Sequence, residues 1–216
     1  MHKRWSGDTS AQVTFFTREK GLVNGLCKGG RTPGKQSSLQ AFTPLWVVLD
    51  ERRDWHYVRQ LEVTSMPLNL IGQNLFAGLY VNELLYHALR PQDQNAELYD
   101  VYKHTLHALT EVTEQLALEI LLRRFEWTLL AACGYQMSLT HDARSGLMII
   151  PEGQYTLIVG EGFIIVEQGI CGAHILALAE GKLDDPLVLK SAKRIMRRAI
   201  DHALGGRSIK SRELYR

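Results

Sequence analysis

Residues 29–35 read Gly-Gly-Arg-Thr-Pro-Gly-Lys, with Gln36, Ser37 and Ser38 after them. The spacing is one substitution short of G-x-x-x-x-G-K-[ST], a loop whose backbone N–H groups cradle phosphates while its hydroxyl holds magnesium. Gln36 stands where the hydroxyl belongs. Pro44 and the strand-like run Leu45-Trp46-Val47-Val48 follow, where a phosphate loop would lead into a helix. With no strand–helix alternation around it, the match is a coincidence. Cys171-x-x-His174 is half of a metal site, and His141-Asp142 offers further ligands. A structural zinc site takes two closely spaced pairs, mostly cysteines, and only one cysteine is present here. Cys27 and Cys133 lie in apolar surroundings, which points to core packing. No paired carboxylates and no Ser/His/Asp set are readable. The expectation is a protein without catalytic residues, metal or cofactor.

The remaining signal is electrostatic. Between Glu19 and Asp50 no acidic residue occurs, whereas Lys20, Lys28, Arg31 and Lys35 all fall there. Such a window suits a loop and adjoining strands that track a phosphate backbone, with Phe42 and Trp46 as stacking surfaces. Residues 1–90 hold 11 Lys+Arg against 7 Asp+Glu, residues 91–189 hold 5 against 14, and residues 190–216 hold 9 against 2. Two basic ends thus flank an acidic middle, a pattern that implies a polyanionic partner more strongly than the net charge of +2 does. In the basic end, Arg197, Arg198, Lys210 and Arg212 are candidates for a second DNA surface. Competing readings are a peripheral membrane protein using this amphipathic end and a general nucleic-acid-binding module with no further role. The apolar stripe of the last helix carries no aromatic residue, which favours packing against protein.

Positioning these residues requires two kinds of element. "SAQVTFFT" and "PLWVVL" are β-rich and "DWHYVRQLEVTS" alternates at period two, so all three read as strands, punctuated by Gly and Pro. After Pro67 the period becomes helical, predicting helices over 68–89, 96–113 and 115–133. Residues 147–166 read as short strands or hairpins, followed by a short helix at "AHILALAEG". Asp185 before Pro186 caps a last helix that stops at Gly205-Gly206. The expected fold is α+β, a small N-terminal β-barrel of the OB-fold type followed by a helical domain with a small β-containing insertion. The expected domains are 1–65, 66–136 and 137–216, the last packing its basic helix on the helical domain. Three scattered cysteines and no secretory or membrane-spanning segment point to a cytosolic chain.

Several strings carry a resemblance: "WSGDTSAQVTFFTREKGLV", "CKGGR", "LQAFTPL", "LFAGLYVNELL", "LLRRFEWTLLAACGY" and "LGGRSIKSRELYR". Together they resemble the RecO family of bacterial recombination mediators along nearly the whole chain. The resemblance implies binding of single- and double-stranded DNA, annealing of complementary strands and association with the nucleoid. It also implies binding of the acidic tail of single-stranded-DNA-binding protein, and help from RecR in placing RecA. Arg123 and Arg124, with Leu122 beside them, would take that tail. Family members usually have one more strand ahead of "WSGDTS", which implies either a misassigned start site or a first domain that lacks its first strand and leaves an unpaired edge. The paired Cys-x-x-Cys motifs of many members are absent from residues 137–151, which places the chain with the zinc-free branch.

Overall fold

The structure, a computed structural model, describes residues 2–52 and 55–215. The chain is α+β and forms two compact units, Met1–Glu111 with Ile209–Arg216, and Val112–Ser208. In the first unit, β1 (His2–Ser6), β2 (Ser10–Thr17), β3 (Gly21–Cys27), β4 (Leu45–Arg52) and β5 (Trp55–Val63) form one sheet. Its order is β1-β2-β3-β5-β4, antiparallel except where β3 meets β5. That is the strand order of an OB-fold. The sheet is not closed: β1 and β4 are its two edges and do not pair with each other among the described residues.

Period-two patterning explains which face is buried. Cross-strand partners share a face, so Ala11, opposite Cys27, lies with Val13 and Phe15 on the inner side. These residues and Leu39 form a buried cluster, with Leu45, Val47, Val58 and Leu61 half-buried against it. Full burial of each such side chain is worth about 1.5–3 kcal/mol. Phe16, pointing the other way, is covered by the rings of Tyr99 and Tyr102, each with its centroid 5.5 Å away.

Between β3 and β4 the structure departs from the plain glycine-rich loop that the sequence suggests. A short helix, α1 (Pro33–Ser38), forms there. Pro33 supplies the fixed φ of a first helical residue. Ser37 and Ser38 donate their hydroxyls back to the Gly34 carbonyl. The helix ends at buried Leu39 and leads into no parallel strand, so the phosphate-loop geometry is not assembled.

The first unit also contains α2 (Gly72–Ala88) and α3 (Ala96–Glu111). Helix α2 begins four residues later than its periodicity predicts. Residues 68–70 lie outside helix and strand instead, with the Leu68 N–H donating to the Phe42 carbonyl and Leu70 buried. Asn82 of α2 accepts from the Tyr102 hydroxyl at 2.7 Å, and Arg18 forks onto Asp100 at 2.8 and 3.1 Å.

The second unit holds α4 (Gln115–Ala132), the sheet β7-β6-β8 (Gly162–Val166, Gln154–Ile158, Ile170–Cys171), α5 (Gly172–Ala179) and α6 (Pro186–Ala203). Asp185 caps α6 by accepting from the Leu187 N–H at 2.7 Å. At its other end Gly205 and Gly206 take φ values of 61° and 75°, and the Gly206 N–H closes onto the Asp201 carbonyl. Only glycine adopts this left-handed stop without strain.

Asp142, considered from the sequence as a metal ligand, is committed elsewhere. Its carboxylate accepts from the Ser145 N–H and hydroxyl, the Arg144 N–H and, at 2.7 Å, the Ile165 N–H on β7. It thereby ties the 142–147 turn to the sheet edge. These donors, the Ser145 N–H foremost, push its carboxyl down from 3.8 to about 2 despite burial. A depressed carboxyl contributes stability that is full above pH 3.8 and is lost as pH falls through about 2. Asp142→Asn should therefore melt lower than wild type at neutral pH, with the gap closing below pH 3.8. Thermal melts of both proteins from pH 7 to pH 2 check this.

Candidate nucleic-acid interface

Gly30 sets the position of the basic loop. A side-chain carbon there would fall 2.7 Å from the Ala11 Cβ and 3.0 Å from the Cys27 carbonyl oxygen, so glycine is required. The loop lies flat against β2, held by the Arg31 N–H on the Thr9 carbonyl and the Thr32 N–H on the Gly29 carbonyl. From this anchor Lys28 and Arg31 reach in two directions. The Lys28 ammonium lies 5.9 Å from the centre of the Tyr57 ring on β5. The Arg31 guanidinium lies 5.0 Å from the Trp5 ring on β1, and its Nη1 also donates to the Asp8 carbonyl.

Each ring carries a second cation. Lys3 sits 5.1 Å from the Trp5 centroid, and Arg52 sits 6.0 Å from Tyr57. Such contacts are worth roughly 0.5–1 kcal/mol each at exposed sites, enough to orient the side chains and weak enough to yield to a ligand. Trp5, Trp46 and Trp55 are 40%, 49% and 52% exposed, an unusual outlay of large aromatic surface. Arg4, Gln12, Leu26, Tyr57 and Asp50 are successive cross-strand partners, so Arg4 and Tyr57 share the other face. Arg4 donates to Gln12 at 3.0 Å. From β1 to β5 this row crosses about 14 Å at ~4.8 Å per strand.

Of the loop residues expected from the sequence, Lys28, Arg31 and Lys35 come together. Lys35 is exposed and donates to the Lys28 carbonyl at 2.9 Å. Lys20 does not join them. It lies in the β2–β3 turn beyond the Thr17–Gly21 pair, six residue pairs from the Ala11–Cys27 end and so about 20 Å away. Phe42 is no stacking platform either, because its ring rests on Gly78 of α2. The sequence reading missed Lys3, Arg4, Trp5, Arg52 and Tyr57. The interleaving of cations with a tryptophan in "HKRWS" was the available signal.

In the second unit, α6 presents Lys190, Lys193, Arg194, Arg197 and Arg198 to solvent. Lys193 pairs with Glu119 at 3.0 Å, and Arg198 donates to the Thr156 hydroxyl. Lys190, Arg194 and Arg197 recur at helical spacing and make no ion pair among the described residues. On α4, Arg124 is exposed. Arg123, which the periodicity set at the border of the core, is only 5% exposed and pairs with buried Glu126 one turn on. The helix buries Leu118, Leu122, Arg123, Phe125, Glu126, Leu129 and Leu130, a band too wide for a single amphipathic stripe. In the first unit, Lys210 is exposed, and the Arg212 guanidinium lies 5.9 Å from the Tyr80 ring.

An open OB-fold sheet edged by cations stacked on aromatic rings is the build of a nucleic-acid-binding protein. Comparison with known families gives the particular lineage. Residues 1–67 match the family described as recombination protein O N terminal, and residues 72–161 match recombination protein O C terminal. The DNA repair protein RecO of Legionella pneumophila (strain Lens) is 56% identical over 216 residues, covering 100% of this chain and 94% of that protein. Its namesake in Enterobacter sp. (strain 638) is 37% identical over 222 residues, covering 100% and 94%. The one in Salmonella enteritidis PT4 is 36% identical over 222 residues, covering 100% and 91%. The chain belongs to the RecO family of DNA repair proteins.

If Trp5 and Tyr57 receive bases, an unlabelled oligothymidylate should quench the intrinsic tryptophan fluorescence. Trp5→Phe should remove a large part of that quench, and Tyr57→Ala should weaken binding by about 1–3 kcal/mol. Titrations of the three proteins at one salt concentration measure both effects.

Proposed function

We propose that the first unit holds a single DNA strand along the rim running from Trp5 through the basic loop to Tyr57 and Trp55. The observation that carries this reading is the loop itself, anchored at Gly30 and laying Lys28 and Arg31 on two exposed rings. Bases stack on the rings as the cations move from ring to phosphate. Lys35 extends the phosphate track, and Lys20 at the far end of the hairpin touches only longer ligands. The exposed face of α6, with Arg197 and Arg198 joined by Lys190 and Arg194, is a second DNA surface. A protein that holds two strands lets complements meet, which is the physical requirement for annealing. Double-stranded DNA binds through the same cations and without the rings.

Membership in the family supports a reading of the finer duties as well. The chain binds the acidic tail of single-stranded-DNA-binding protein, acts with RecR in placing RecA, and works at the nucleoid without chemistry of its own. Arg124 is the solvent-facing member of the arginine pair suited to a carboxylate, with Leu122 and Arg123 shaping α4 behind it. No helix among the described residues is long and apolar enough to cross a membrane.

Salt titration separates the proposed contacts. Replacing Lys28, Arg31 and Lys35 with alanine should lower the slope of log affinity against log salt by about one per lost phosphate contact. Replacing Lys190, Arg194 and Arg197 should spare oligothymidylate binding and slow annealing of complementary strands. An unchanged slope in the first variant removes the rim assignment. Normal annealing in the second removes the two-surface model. Binding to anionic vesicles in preference to DNA would favour a membrane-surface protein instead.

A further inference from the structure

The last eight residues leave α6 through Gly205–Gly206 and belong to the first unit. There Ile209 and Ser211 are buried, and Lys210–Tyr215 forms a 3-10 helix. The helix starts with N–H groups that have no partner within it. Glu83 of α2 supplies one. Its carboxylate accepts from the Lys210 N–H at 2.8 Å, the Ser211 N–H at 2.8 Å and the Ser211 hydroxyl at 2.6 Å. Burial opposes ionisation of Glu83, but the Ser211 and Lys210 donors outweigh it, aided by His87 at 3.8 Å, and hold the carboxyl below its ordinary value. One turn earlier on α2, Tyr80 lies under the Arg212 guanidinium. This end of the chain therefore engages the protein through backbone, hydroxyl and stacked guanidinium. Among the described residues of this end, the Lys210 ammonium makes no ion pair.

We propose that residues 209–215 are a clasp closing the nucleic-acid-binding unit, and that Glu83 is the residue that recognises it. What that unit needs from the C terminus is docking on α2, and the positive charge there is incidental. Docking stiffens α2, which carries Asn82 and hence the Tyr102 anchor behind β2. The sheet that presents Trp5 and Tyr57 is thereby supported on the face that carries Phe16.

The test uses the full chain with Glu83→Ala, Ser211→Ala or Lys210→Ala, read by amide hydrogen exchange and by oligothymidylate affinity at several salt concentrations. Glu83→Ala, which removes the acceptor of all three donors, should speed exchange across α2 by about tenfold or more, and Ser211→Ala, which removes one donor of the three, should speed it by a smaller factor. Both should weaken binding with an unchanged salt slope, whereas Lys210→Ala should alter neither exchange nor slope. Unchanged α2 exchange in Ser211→Ala would overturn the clasp, and this variant loses one hydroxyl only, so it remains decisive even where Glu83→Ala fails to fold. A salt slope lowered by about one in Lys210→Ala would overturn it equally, by making the segment a phosphate contact.

Discussion

The absence of room beside Gly30 is the constraint on which the working face depends. A loop packed so closely that a side-chain carbon at residue 30 would collide with Ala11 and the Cys27 carbonyl has its exit direction fixed by the sheet, not by its own flexible sequence. Lys28 and Arg31, two residues before and one residue after this contact in the chain, are splayed to opposite sides. Each meets a ring that the sheet has already placed. A close approach of backbone to backbone, worth little by itself, thus turns a mobile cationic segment into a pair of fixed arms.

The arms rest on aromatic rings because no carboxylate lies within reach on that segment. Between Glu19 and Asp50 the chain offers none, so the cations find the next best partner, the π-face. A salt bridge would neutralise them; a ring leaves the charge intact while restraining the side chain. The second unit solves the same problem differently. On α6 two of five cations are spent on Glu119 and Thr156, which leaves the rest aligned on one exposed face. Different supports give two surfaces of the same sign.

Much of this was legible in the sequence, and the reasons differ by element. Strands β2, β4 and β5 and all the long helices follow from apolar periodicity, because burial on one face forces the period. The cap at Asp185 and the double-glycine stop of α6 were equally plain, since each serves a local backbone need. Helix α1 was hidden by its composition: Gly, Lys, Gln and two serines carry no apolar stripe, and tertiary anchoring at Leu39 decides the outcome. Strand β1 was hidden by its edge position, where one side of "HKRWS" faces solvent and alternation fades. Arg123 misled for a physical reason. Its periodic position was correct, but the helix is buried over a wider arc than a stripe, and a guanidinium can enter such an interior only with a partner such as Glu126. Lys20 misled because proximity in sequence was taken for proximity across a hairpin, where a few residues already span the sheet.

The clasp joins residues separated by 128 positions, and this separation has a temporal meaning. A ribosome adds about 5–20 residues per second, so Glu83 emerges on the order of ten seconds before Ser211 is made. During that interval the unit begun first lacks the donors that Glu83 accepts from, while the second unit, contained between residues 112 and 208, is made whole just before residues 209–215 follow. The order of completion is the reverse of the order of synthesis. A product truncated before residue 209 would leave Glu83 without the Lys210 and Ser211 donors.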